Sequence, residues 1–153
     1  MAETKFTRSN WPRTNMIEDS YVIGPIGVVR SDLTNRETAP LQGDEGAPAA
    51  WLEITAEIAP GLAGITSGDD LIVLTWLHRS RRDVLQVHPR RMRAGSLAGV
   101  FATRSPDRPN PIGLHRVSVL EIAGHRLRVA PMEAIDGTPI VDIKPVLVRI
   151  DDC

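Results

Sequence analysis

An apolar period of 3.6 residues persists nowhere along this chain, and that absence of helical patterning most constrains the fold. What recurs is a period of two. "WLEITAEI", residues 51–58, sets Leu52, Ile54, Ala56 and Ile58 against Glu53, Thr55 and Glu57, the signature of a strand with one covered face. "YVIGPIGVVR" (21–30) is β-branched and apolar and reads as another strand. "DLIVLTWLH" (70–78) is apolar on both sides, with Leu71, Val73 and Leu77 on one and Ile72, Leu74, Trp76 and His78 on the other, which predicts a strand covered twice. "LHRVSVLEIAGHRLRV" (114–129) predicts a hairpin joined at Ala-Gly-His, with Leu127 and Val129 inward and Arg126 and Arg128 outward. In "IDGTP" the Asp-Gly pair supplies the positive φ of a tight turn, and "IVDIKPV" is a short strand closed by Pro145. "APGLAGI" suits one turn of helix, and "SRRDVLQVHPRRMRAGS" is mostly a basic loop. Short strands joined by Gly/Pro turns predict an all-β fold, a small antiparallel β-barrel with little helix, in preference to α/β.

Size and charge narrow the function classes. The 153 residues suit one domain, and a domain of that length buries roughly 70% of its unfolded surface. Up to about Ser20 the chain has no periodicity and is expected to be a flexible N-terminal arm, with the barrel domain over 21–153. Eighteen basic residues against 19 acidic argue against a broad, non-specific grip on nucleic acid. The single cysteine, Cys153, forms no intrachain disulfide, which fits a reducing compartment. With a polar N-terminus and no apolar run approaching the ~18 residues of a membrane span, a cytosolic protein without membrane contact is expected. The histidines at 78, 88, 115 and 125 show no metal-ligand spacing, so no metal is expected. The sequence has no Gly-x-Gly-x-x-Gly, P-loop or nucleophile-elbow motif.

One stretch exceeds what chain reversal needs. "GVFATRSPDRPNPIGLHRV" (99–117) holds Pro106, Pro109 and Pro111, each fixing φ near −65° and confining the residue before it to extended conformations. Such a loop either seals a barrel end with solvated arginines, or presents Arg104, Arg108 and Asn110 as fixed donors toward a carboxylate, a phosphate or a base edge. The run "HRSRRDVLQVHPRRMR" (78–93) sets Arg79, Arg81, Arg82, Arg90, Arg91 and Arg93 against Asp83 alone. It is either a solubilising loop or a surface for RNA phosphates. At 4% aromatic residues, the chain offers no platform for stacking several bases.

"GVFATRSPDRPNPIGL" followed by "DGTPIVDIKP" (136–145) resembles the TsaA/TrmO-type methyltransferase family, and "IGVVRSDL" and "WLHRS" resemble its opening strand and the strand end that meets the cofactor. The resemblance spans about Ile23 to Val146. It implies a β-barrel that binds S-adenosyl-L-methionine, a homodimer with the cofactor near the subunit boundary, and methylation of N6-threonylcarbamoyladenosine beside the anticodon of tRNA. It further implies cofactor contacts from Gln42, His78, Arg104, Leu114 and the segment Pro131, Met132 and Glu133. Leu114 and Met132 would flank the adenine and Arg104 would bind the carboxylate or organise the loop, unless it pairs with Asp107 or Asp136. His78 is either a ligand contact or a hydrogen-bonded structural residue. Asp136 and Asp142 are the candidate catalytic groups, each accepting a proton or holding the substrate amine; Asp136 is otherwise a turn residue, and Asp142 otherwise an ion partner of Lys144 or of an arginine on another strand. Bacterial tRNA enzymes of this type carry a further C-terminal domain, whereas this sequence ends shortly after the last motif. The alternatives are therefore a methyltransferase acting on a small molecule or another macromolecule, and a non-catalytic barrel that binds cofactor or RNA.

Overall fold

The computed structural model describes residues 21–40, 46–89 and 95–147, which divide into two compact units. The predicted arm over residues 1–20 lies outside the described residues.

The larger unit, residues 23–77 with 113–153, is the barrel. Its strands are β1 (Gly27–Arg30), β2 (Ala50–Ile54), β3 (Asp70–Trp76), β6 (Ile112–Ala123), β7 (Arg126–Ala130) and β8 (Pro139–Pro145). They close in the order β1-β2-β7-β6-β3-β8, with β8 returning to β1 through Gly27↔Ile140 and Val28↔Pro139. The all-β antiparallel barrel expected from the alternation is the fold observed.

Alternation explains the core. Leu52 and Ile54 of β2, Leu71 and Val73 of β3, Val117 and Val119 of β6, and Leu127 and Val129 of β7 each occupy every second position and are buried inside. Fully burying one such side chain contributes about 1.5–3 kcal/mol. Arg126 and Arg128 point outward as expected, and the Arg126 guanidinium lies 4.5 Å from the Trp51 ring centroid, a cation–π contact across the β2–β7 pair. The β6–β7 hairpin turns at Gly124 (φ +62°) and the Asp-Gly turn at Gly137 (φ +81°).

Three strands are shorter than the sequence suggested. Residues 21–26 precede β1, because Tyr21, Val22 and Ile23 are exposed and the ladder begins only at Gly27. The alternation of 51–58 stops at Ile54. There the Ile58 and Ala59 N–H groups both donate to the Thr55 carbonyl, which curls the chain into the short 3-10 helix Ala59–Leu62 and leaves Ile58 exposed. The strand expected to be covered twice is buried on one face and half-buried on the other, and it ends at Trp76, so His78 sits in the turn beyond it.

The smaller described unit contains residues 78–112. It carries β4 (Gln86–Val87) paired with β5 (Ala98–Gly99), a 3-10 turn at Val100–Ala102 and the proline-rich loop. The basic segment is thus not loop throughout.

Candidate functional site

In the smaller unit, arginines hold the proline-rich loop together. Arg108 donates from Nε to the Ser105 carbonyl at 2.7 Å, and from Nη2 to the carbonyls of Val100 at 2.8 Å and Thr103 at 2.6 Å. Burial first, and the charge of Arg104 second, lower its pKa. Arg82 ties in the other side of the loop, donating to the Pro109 carbonyl at 2.7 Å and to Asn110 Oδ1 at 3.1 Å. Asp107 accepts the Arg81 N–H at 2.8 Å, and the Arg81 guanidinium grips Asp83. The carbonyls of Thr103, Ser105 and Pro109 are thus met by guanidinium groups.

Arg104 differs from these. It is exposed, and among the described residues its guanidinium makes no hydrogen bond or ion pair; neither Asp107 nor Asp136 takes it. Arg108 and Arg82 are committed to the loop and the Arg81 guanidinium to Asp83, while Arg104 remains available to an anion. His78 is also exposed, and its pKa is lowered by partial burial first and the adjacent Arg79 charge second.

In the barrel unit, a polar chain crosses the apolar interior. His115 of β6 is 4% exposed; its Nε2 lies 2.6 Å from Thr75 Oγ1, and its Nδ1 lies 2.5 Å from Glu133 Oε1. With Glu133 as a carboxylate that only accepts, Nδ1 carries the imidazole proton, and Nε2 accepts from the Thr75 hydroxyl. Every polar atom of that chain is then satisfied, except that Glu133 Oε2 has no hydrogen bond among the described residues. Gly113 makes the room: a Cβ there would overlap Thr75 Oγ1 and come within 2.7 Å of His115 Nε2 and 3.0 Å of Leu77 Cδ2.

The other predicted residues fall as follows. Leu114 alternates with His115 and is 46% exposed, so its side chain is open to a ligand or partner. The Ala130–Pro131 peptide is cis, and Pro131 is half-buried. The Met132 side chain is wholly inside the core, so what it offers a ligand is backbone, of which the N–H already donates to the Pro48 carbonyl at 2.9 Å. Asp136 holds the turn to the segment after β1, its Oδ1 accepting the Ser31 N–H at 3.0 Å. Asp142 pairs with Lys144 at 3.0 Å; two apart on β8, they share a face. Gln42 lies outside the described residues.

Sequence reasoning missed His115 and Thr75 as members of one network. Their signal was parity: His115 shares the inward face of Val117 and Val119, and Thr75 that of Leu71 and Val73. Among the described residues, no group of three His, Cys, Asp or Glu side chains is placed to hold a metal ion, and no helix is long and apolar enough to cross a membrane.

One unit is a closed antiparallel barrel, and the other carries an arginine-stapled, proline-rich loop. Residues 28–152 match the family model described as the tRNA-methyltransferase O N-terminal domain, and the chain belongs to that family. It is 43% identical over 129 residues to a probable S-adenosyl-L-methionine-binding protein of Methanothermobacter thermautotrophicus, a match covering 84% of this chain and 92% of that one. An S-adenosyl-L-methionine-binding protein of Archaeoglobus fulgidus is 42% identical over 132 residues, covering 85% and 92%. Two crystal structures of TrmO from Pseudomonas aeruginosa superpose with TM-scores of 0.69 and 0.64, both at 27% identity, over 91% and 84% of this chain. The chain spans only 62% and 57% of those TrmO chains.

Proposed function

We propose that this protein binds S-adenosyl-L-methionine and transfers its methyl group to a nitrogen, with N6-threonylcarbamoyladenosine beside the tRNA anticodon as the acceptor. Family membership and the S-adenosyl-L-methionine-binding relatives support the cofactor. The observation that carries the reading is the unspent Arg104 guanidinium, held on a loop whose neighbouring arginines are committed to structure.

The residues fit such a cofactor. Arg104 matches a carboxylate, and Glu133 Oε2 matches an ammonium or a ribose hydroxyl. Gln42, His78, Leu114, Pro131 and Met132 remain candidate contacts, Met132 through its backbone. The cofactor, when bound, supplies a methyl group already activated on a sulfonium, so no metal is required. The protein's task is alignment and exclusion of water. A loop stiffened by prolines and three arginine-to-carbonyl bonds performs that task without being ordered anew at each turnover. Asp142, with one oxygen on the Ile143 N–H and the other on Lys144, and Asp136, bound to Ser31, are the candidate proton acceptors.

tRNA is the proposed partner and the cytoplasm the proposed location. A homodimer is supported by the outward residues Leu114, Leu120 and Ile122 of β6, each more than 40% exposed. Calorimetry tests the cofactor. Arg104→Ala is expected to weaken S-adenosyl-L-methionine binding about tenfold to a hundredfold, the worth of one charge-assisted hydrogen bond; unchanged affinity removes Arg104 from the site. Labelled methyl entering bulk tRNA and not a metabolite extract supports the acceptor. The reverse favours a small-molecule methyltransferase, and binding without transfer to any RNA favours a non-catalytic barrel.

A further inference from the structure

We infer that His115 is a positioning residue: through Nδ1 it locks Glu133 so that Oε2 is presented as a fixed acceptor to the donor groups of a bound ligand. The inference rests on the cofactor reading above, and names the ammonium or ribose hydroxyls of S-adenosyl-L-methionine as those donors.

Three observations carry it. First, a polar chain through an apolar barrel is expensive unless complete, and this one is complete at every atom except the terminal carboxylate oxygen. Second, Glu133 is 12% exposed whereas His115 is 4% and Thr75 0% exposed, so the chain runs from a dry interior toward solvent and ends on the unsatisfied acceptor. Third, the packing is tight enough to hold one geometry: Gly113 faces Thr75 and His115 so closely that even a methyl does not fit. Histidine used only to fill the barrel would need no carboxylate. Val, which fills the equivalent inward positions at 117 and 119, would do so without the desolvation cost.

The two imidazole nitrogens can be tested separately. His115→Asn places an amide N–H near Nδ1, keeping the donor to Glu133 while losing the reach to Thr75. His115→Gln reaches toward Thr75 but abandons the Nδ1 position. Binding of S-adenosyl-L-methionine and of S-adenosylhomocysteine, which shares the amino-acid and ribose groups, is measured by calorimetry on each folded variant, with thermal melts alongside. His115→Gln is expected to weaken both ligands about tenfold to a hundredfold, and His115→Asn to stay within about threefold of wild type, whatever their order of melting temperature. Affinities that fall equally in both variants, or that hold while only the melting temperature falls, assign His115 to barrel packing and overturn the inference. A loss for S-adenosyl-L-methionine but not for S-adenosylhomocysteine overturns the assigned donor groups. Should His115→Gln not fold, Glu133→Gln carries the test: replacing the acceptor Oε2 with an amide donor is expected to cost the same factor, and unchanged binding overturns the inference. If wild type binds neither ligand, the cofactor reading itself fails and the inference falls with it.

Discussion

Replacing Gly113 with alanine tests the packing around His115 with a single added methyl. The new Cβ would overlap Thr75 Oγ1 and lie 2.7 Å from His115 Nε2 and 3.0 Å from Leu77 Cδ2, all inside ordinary van der Waals contact. Thr75 and His115 are both buried on neighbouring strands, so neither can swing aside into solvent. Overpacking of this kind costs about 1–3 kcal/mol. Prising the Thr75 hydroxyl from Nε2 leaves a buried acceptor unmet for about 1–3 kcal/mol more. The sum, about 2–6 kcal/mol, is a large fraction of the roughly 5–15 kcal/mol that holds a domain folded. At about 2–4 °C per kcal/mol for a chain of this length, the melting temperature should fall by about 4–24 °C. Scanning calorimetry or urea unfolding measures it. A double-mutant cycle locates the cause, since in a Thr75→Ala background the nearest obstruction is gone and Gly113→Ala should cost at least about 1 kcal/mol less. A melting temperature within one or two degrees of wild type, or a cost unchanged by Thr75→Ala, would refute the reasoning.

Arg108→Ala removes three hydrogen bonds to loop carbonyls and should free residues 100–108, seen as faster amide exchange and protease cleavage there while barrel amides stay protected; unchanged exchange would place the loop's stiffness in its prolines alone. The His78 imidazole should titrate below the ordinary histidine value near 6.5, so its stabilising contribution is complete above that pH and is lost as pH falls through the lowered value; an NMR titration reads the midpoint, and Arg79→Gln should move it upward. Asp136→Ala leaves the Ser31 N–H without its acceptor and should cost about 1–3 kcal/mol in urea unfolding, against little change if the turn holds without it.

The barrel was legible because its signal is periodic. Inward Leu127 and Val129, outward Arg126 and Arg128, and the Asp-Gly turn follow from alternation and local backbone preference, which depend on near neighbours in sequence. Strand ends were less legible. Ile54 ends β2 although the apolar alternation runs on to Ile58, because partner strands set where a ladder stops. The proline-rich loop was recognised as rigid from its φ constraints, but the arginine staples were not visible, since which carbonyl Arg108 or Arg82 reaches depends on folded distances. For the same reason the sequence, which offered Asp136 as a catalytic group or a turn residue, did not show its bond to Ser31, 105 residues away. Thr75, His115 and Glu133 stand on three separate stretches of sequence, and only the barrel brings them into hydrogen-bond range.

Closure of the six strands has a consequence for how this barrel meets other molecules. Since β8 pairs back onto β1, the barrel sheet presents, among the described residues, no continuous row of open amides and carbonyls for an incoming strand to extend. A second polypeptide that docks on the barrel is therefore recognised by side chains on its outer wall. The ladder itself is sealed against the edge-to-edge growth that leads β-rich chains toward fibres.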